Sequence, residues 1–98
     1  MKKKRAYLSG PITNNPNYKA EFARVHKAVE KEGYTVVDPT QTPLDPEQFD
    51  YSEFMKVDLL LLSMCDVIVM LPGWNKSNGA RREFEYAVDH HLEIILFF

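Results

Sequence analysis

Two acidic residues occupy helix faces where a charge is out of place. Over the helical stretch 78–91, at about 100° per residue, Ala80, Phe84, Ala87, Val88 and His91 gather on one side. Glu85 and Asp89 lie opposite them beside Arg81 and Arg82, as solvent-facing charges should. Glu83 does not join that polar side. It falls roughly 40° from Ala87 and roughly 60° from Ala80, at the edge of the apolar stripe and in the first turns of the helix. In the preceding helical stretch, 50–63, Glu53, Lys56 and Ser63 share a face, while Asp58 points away from them among Phe54, Leu61 and Leu62. Burying an unpaired charge is costly, so an inward carboxylate needs a partner or a function. Paired carboxyl groups suit covalent displacement and proton transfer. Each acid also has a structural reading: Glu83 as a helix-dipole partner, Asp58 in a buried hydrogen bond or salt bridge.

The turn ahead of Glu83 reads Leu71-Pro72-Gly73-Trp74-Asn75-Lys76-Ser77-Asn78-Gly79. Ser77 can cap the helix, Gly79 lets a backbone approach closely, and the first free N–H groups can receive an anion. Trp74 beside Gly73 can stack on a nucleobase or cover the edge of the core.

These residues must be held by a frame. Arg5 to Ser9 reads as a strand ended by Gly10-Pro11. Tyr18, Phe22, Val25 and Val29 recur at helical spacing before the stop at Gly33. A short strand covers 34–38, and a proline-rich loop covers 39–49. The spacing of Asp50 and Glu53 is that of a capping box, opening a helix to about Ser63. Strand 66–71, the helix 78–91 and an apolar strand 93–98 complete the alternation. Continuous apolar strands predict a parallel α/β sheet buried by helices on both faces, a single domain over 1–98. Ligands bind such sheets at the carboxyl ends of the strands. Loops 9–16, 38–50 and 72–78 all lie at that end.

Composition narrows the class. At 45% hydrophobic, 27% charged and net charge −2, the chain has the profile of a soluble globular domain, with no polymeric nucleic acid as partner. Lys2-Lys3-Lys4-Arg5 is the one basic cluster, a solvated end or a contact for a phosphate-bearing partner. One cysteine, Cys65, excludes an internal disulfide, and there is no CxxC. No stretch reaches membrane-spanning length, so the expected setting is cytoplasmic. His90 and His91 are adjacent and do not converge on one metal. No metal or cofactor is expected.

The stretches 6–12 (AYLSGPI), 58–71 (DLLLLSMCDVIVML) and 77–87 (SNGARREFEYA) together resemble the nucleoside 2-deoxyribosyltransferase family and its relatives that hydrolyse deoxynucleoside 5'-monophosphates. The most specific piece is Ser77, Gly79, Glu83 and Ala87 at their spacing. The tightest resemblance is to short members with LPGW ahead of that motif. The resemblance implies a three-layer flavodoxin/Rossmann-like sheet of about four strands in the order 2-1-3-4. It implies that Glu83 is the nucleophile at the anomeric carbon, that Asp58 assists at the base and that Tyr7 orients the nucleophile. Ser9, Gly10, Pro11, Ile12, Trp74, Ser77 and Gly79 are then expected to meet a nucleoside or nucleotide. Transferases of free nucleosides carry an acid at the position of Ser77; a serine there is the pattern of the monophosphate hydrolases. Those enzymes share sites between subunits, so a homodimer or higher homo-oligomer is expected through the apolar helix 50–63. A nucleotide-binding or sensing protein without turnover, and an NAD-type glycohydrolase, are the alternative readings.

Overall fold

Side chains alternate across a strand, so β1 (Arg5–Ser9) offers Ala6 and Leu8 to one face and Tyr7 and Ser9 to the other. The computed structural model describes residues 2–97. Ala6 and Leu8 pack with Val67 and Val69 of β3 (Val67–Met70) against α1 (Tyr18–Lys31), which contributes Phe22, Val25 and Val29. Burying each of those three side chains stabilises the layer by about 1.5–3 kcal/mol. On the opposite face Tyr7, Ile68 and Met70 meet Leu62 of α2 (Tyr51–Ser63) and Ala80 and Ala87 of α3 (Asn78–Asp89). The sheet therefore lies between one helix and two.

β2 (Thr35–Val37) and β4 (Glu93–Leu96) complete a four-stranded sheet in the order β2-β1-β3-β4, and every pairing is parallel. Tyr7 is opposite Val37 on one side and Ile68 on the other, which places it in the interior of the sheet. The expected strand order and three-layer frame are present. Among the described residues no helix is long and apolar enough to cross a membrane.

Local chemistry explains the ends. Asp50 accepts from Glu53 N at 2.9 Å while Glu53 Oε1 accepts from Asp50 N at 3.0 Å, so the capping box that opens α2 is complete. Gly33, at φ 97°, follows α1 in a conformation that disfavours other residues. β2 stops before Asp38 because that carboxylate turns back to accept from Thr40 N at 2.9 Å and pairs with His26 Nδ1 at 2.9 Å. α3 ends at Asp89 rather than His91, which adopts φ 58°.

The last strand corrects an expectation. The run from Glu93 was expected to be fully buried, yet Ile94 and Ile95 are half-buried and Leu96 is exposed. β4 pairs only with β3, so it is an edge strand whose apolar side chains are incompletely covered. The expected position 98 lies outside the described residues.

Candidate active site

Glu83 is buried, with 5% of its surface exposed, one turn into α3 on the face turned to the sheet. The sequence placed it at the edge of the apolar stripe; packing against β1 encloses it. Both carboxylate oxygens are held. Tyr7 Oη donates to Oε2 at 2.5 Å, and Ser9 Oγ donates to Oε1 at 2.7 Å. Tyr7 and Ser9 are themselves enclosed. Two hydroxyls two residues apart on one strand face thus grip one carboxylate carried by a helix.

The surroundings set its charge. Burial pushes the Glu83 carboxyl up to about 7; the hydrogen bonds from Tyr7 and Ser9 oppose that rise, and the charge of Asp58 adds to it. Burial also pushes Asp58 up to about 6. Tyr7 lies well above its ordinary value of 10.0, first through burial and then through the charges of Glu83 and Asp58, so it acts as a neutral donor. Asp58 lies on α2 close enough to act on both residues, and its Oδ1 is buried without a hydrogen-bond partner among the described residues. Orphaned buried oxygens are uncommon and mark places where a proton or a ligand group is wanted. The two sequence-predicted carboxyls and Tyr7 are therefore brought together.

The loops leaving β1 and β3 meet each other beyond the strand ends. A Cβ on Gly10 would lie 2.7 Å from Leu71 Cβ, so only glycine lets the exit of β1 pass the exit of β3. Pro11 Cγ sits 3.4 Å from where Gly73 would carry a Cβ, which joins loop 9–16 to loop 72–78. Pro11 is half-buried, and Ile12 is exposed at the rim. Trp74 stacks on Phe84 with ring centroids 4.6 Å apart, so one face of the indole covers the core edge. Ser77 caps α3, its Oγ accepting from Ala80 N at 3.2 Å. A Cβ on Gly79 would lie 3.4 Å from Met55 Sδ and 3.5 Å from Tyr51 Oη, so the surface that comes close at Gly79 is α2.

A groove of about 460 Å³ lined by Tyr51, Asn78, Arg81, Arg82 and Glu85 runs along the outer flank of α3 and does not include Glu83. The enclosed carboxylate with two donors, rather than groove size, marks the candidate site. Among the described residues no group of three or more His, Cys, Asp or Glu is placed to hold a metal. The contact that sequence reasoning missed is Ser9 on Glu83. Its signal is the spacing Tyr7-Leu8-Ser9, which puts both hydroxyls on one face of a strand.

A family model described as "Domain of unknown function (DUF4406)" matches residues 4–96. The chain belongs to the DUF4406 family. No curated protein matches it. Among solved structures, this DUF4406 domain is similar to a 2-desoxiribosyltransferase from Leishmania mexicana, with a TM-score of 0.73 and 18% identity, covering 96% of this chain and 63% of that one. It is also similar to a 2-deoxyribosyltransferase from the psychrotolerant bacterium Bacillus psychrosaccharolyticus, with a TM-score of 0.72 and 20% identity, covering 95% and 71%. The DUF4406 chain thus has the nucleoside 2-deoxyribosyltransferase-like fold and spans 63% of the length of the Leishmania enzyme.

Proposed function

We propose that this DUF4406 protein cleaves, or transfers at, the N-glycosidic bond of a (deoxy)nucleoside 5'-monophosphate, with Glu83 as nucleophile. The observation that carries the reading is the Glu83 carboxylate, enclosed and held on both oxygens by Tyr7 and Ser9 at the carboxyl end of β1. A carboxylate so held is aimed rather than neutralised by a cation, which suits it to form an ester. One oxygen of Glu83 bonds to the anomeric carbon as the bond to the base breaks, and the electron pair leaves on the base nitrogen. Asp58, held near 6, gives that nitrogen its proton. Water, or a second base, then attacks the anomeric carbon and releases Glu83, while Asp58 takes back a proton. The two similar enzymes are named for deoxyribosyl transfer, and their fold supports the same bond as the target.

The monophosphate preference rests on the start of α3. Ser77 Oγ accepts from Ala80 N, which leaves the hydroxyl proton free to donate to a phosphate oxygen. The N–H groups of Asn78 and Gly79 have no partner within the helix and face the same end. Gly10, Pro11, Ile12 and Trp74 belong to the two loops at this rim and complete the ligand's surroundings in this reading. We further propose a homodimer through α2, which leaves Tyr51 and Leu60 exposed, Leu60 at 62%, together with Met64 just beyond its end. Light scattering at micromolar concentration tests this, and a monomer counts against it.

One observation favours a second reading, a nucleotide-binding protein without turnover. A carboxyl pushed up to about 7 is only partly ionised at neutral pH, and its proton must be absent for attack. Incubation with deoxynucleoside and nucleoside monophosphates, the matching nucleosides and NAD separates the two. The expected result is base released from a monophosphate, with a peptide containing Glu83 gaining the mass of the sugar phosphate after rapid quenching. Tight binding of a monophosphate with no base released would leave only the binding reading.

A further inference from the structure

Serine is seldom enclosed without a partner, and Ser9, the last residue of β1, is enclosed with only 1% of its surface exposed. Its partner is Oε1 of Glu83 at 2.7 Å, leaving Oε2 to Tyr7. We propose that Ser9 is a positioning residue that locks the Glu83 carboxylate in one plane and does not contact the ligand. The inference rests on the proposed function only in treating Glu83 as the nucleophile.

The geometry supports this in three ways. The terminal torsion of a glutamate is broad, so a carboxylate held by one hydrogen bond can still turn; a second donor on the other oxygen stops it. Both donors stand on one rigid element, because β1 is paired on both edges and Leu71 N donates to Ser9 O at 2.8 Å. A serine hydroxyl has a single proton, and this one is engaged by Glu83, so it is not available to a phosphate or a sugar hydroxyl. The groups that face Glu83 are Tyr7 and Ser9 from β1 and Asp58 from α2. Tyr7 is a neutral donor and Asp58, when ionised, opposes a second negative charge, so the Ser9 hydroxyl is one of two groups that favour the charged carboxylate against burial and Asp58.

Ser9→Ala and Ser9→Thr, with the Glu83 carboxyl followed by carbon NMR through a pH titration, test the inference. In Ser9→Ala the Glu83 midpoint is expected to rise by about 0.5–1 pH unit. Base release from a deoxynucleoside monophosphate is expected to fall ~10-fold in kcat with KM within about twofold, and its acidic limb to move with the midpoint. Ser9→Thr keeps the donor and is expected to keep the wild-type midpoint. An unmoved midpoint in Ser9→Ala overturns the inference, as does a raised KM with an unmoved midpoint, the signature of a ligand contact. A moved midpoint in a protein that releases no base leaves the hold of Ser9 on Glu83 standing and removes only the glycosidase reading.

Discussion

The Tyr7 hydroxyl donates to Oε2 of Glu83 at 2.5 Å across a sequence separation of 76, joining the middle of β1 to α3 inside the core. A neutral phenol on a buried carboxylate favours the ionised form without cancelling its charge. Tyr7→Phe removes that donor and leaves Oε2 enclosed without it. Turnover at neutral pH is expected to fall about 100-fold, while the acidic limb of the pH profile moves up. Thermal unfolding should show a loss of about 1–3 kcal/mol at pH 8 and a smaller loss at pH 5, where Glu83 carries a proton.

Activity is expected to follow a narrow bell. Attack needs Glu83 ionised, which rises through about 7, and leaving-group protonation needs Asp58 protonated, which falls through about 6. The two limbs cross at about 6.5, midway between those values, and belong to the coupled pair rather than to either residue alone. Initial rates of base release from pH 4 to 9 check this, and Asp58→Asn should remove the alkaline limb. A rate that keeps rising to pH 9 in the wild type would exclude Asp58 as the proton donor.

Stability carries the same groups with a definite sign. Glu83 is raised from 4.5 to about 7 and Asp58 from 3.8 to about 6, so the native state keeps protons that the unfolded chain has released. The stability these groups contribute is full below about pH 4 and is lost as pH rises through about 7. For Glu83 the loss is on the order of 3 kcal/mol. Glu83→Gln, neutral at every pH, should flatten the fall between pH 4 and 8 and melt above the wild type at pH 8. Equal slopes in the two proteins would show that Glu83 does not carry the effect.

Substrate charge is expected to be read at Ser77. A donor hydroxyl and the start of α3 together favour a monophosphate over its nucleoside by about 1–3 kcal/mol, on the order of ten- to a hundredfold. Ser77→Asp keeps a capping oxygen but places an anion against the phosphate, so it should reverse the order. Titration calorimetry with one nucleoside and its monophosphate decides it; equal wild-type affinities would sink the phosphate assignment.

The crossing of β1 and β3 exits at Gly10 is steric. Gly10→Ala puts a methyl 2.7 Å from Leu71 Cβ, which overlaps a buried, branched side chain. A destabilisation of about 1–3 kcal/mol by denaturant titration is expected, with weaker ligand binding because Pro11 and Gly73 no longer meet.

Periodicity determined the frame of this protein. Apolar runs at 66–71 and from 93, each following a helical repeat, demand a parallel sheet covered on both faces, and the structure has it. The capping box at Asp50 and Glu53 was legible because it is local, three residues apart with both partners in the sequence. The inward acids were legible as anomalies, because helix angle is a property of spacing alone. What they touch was not. Tyr7 and Ser9 reach Glu83 across 76 and 74 positions, and no local rule links residues so far apart. Ser9 stands among the residues that the resemblance assigns to the ligand, and only the packing of α3 on β1 turns its hydroxyl to Glu83. The partial exposure of β4 escaped for the same reason, since an apolar strand reads alike whether neighbours cover one side or two. Burial pushes the Glu83 carboxyl up to about 7, and burial is a property of the assembled core rather than of any segment.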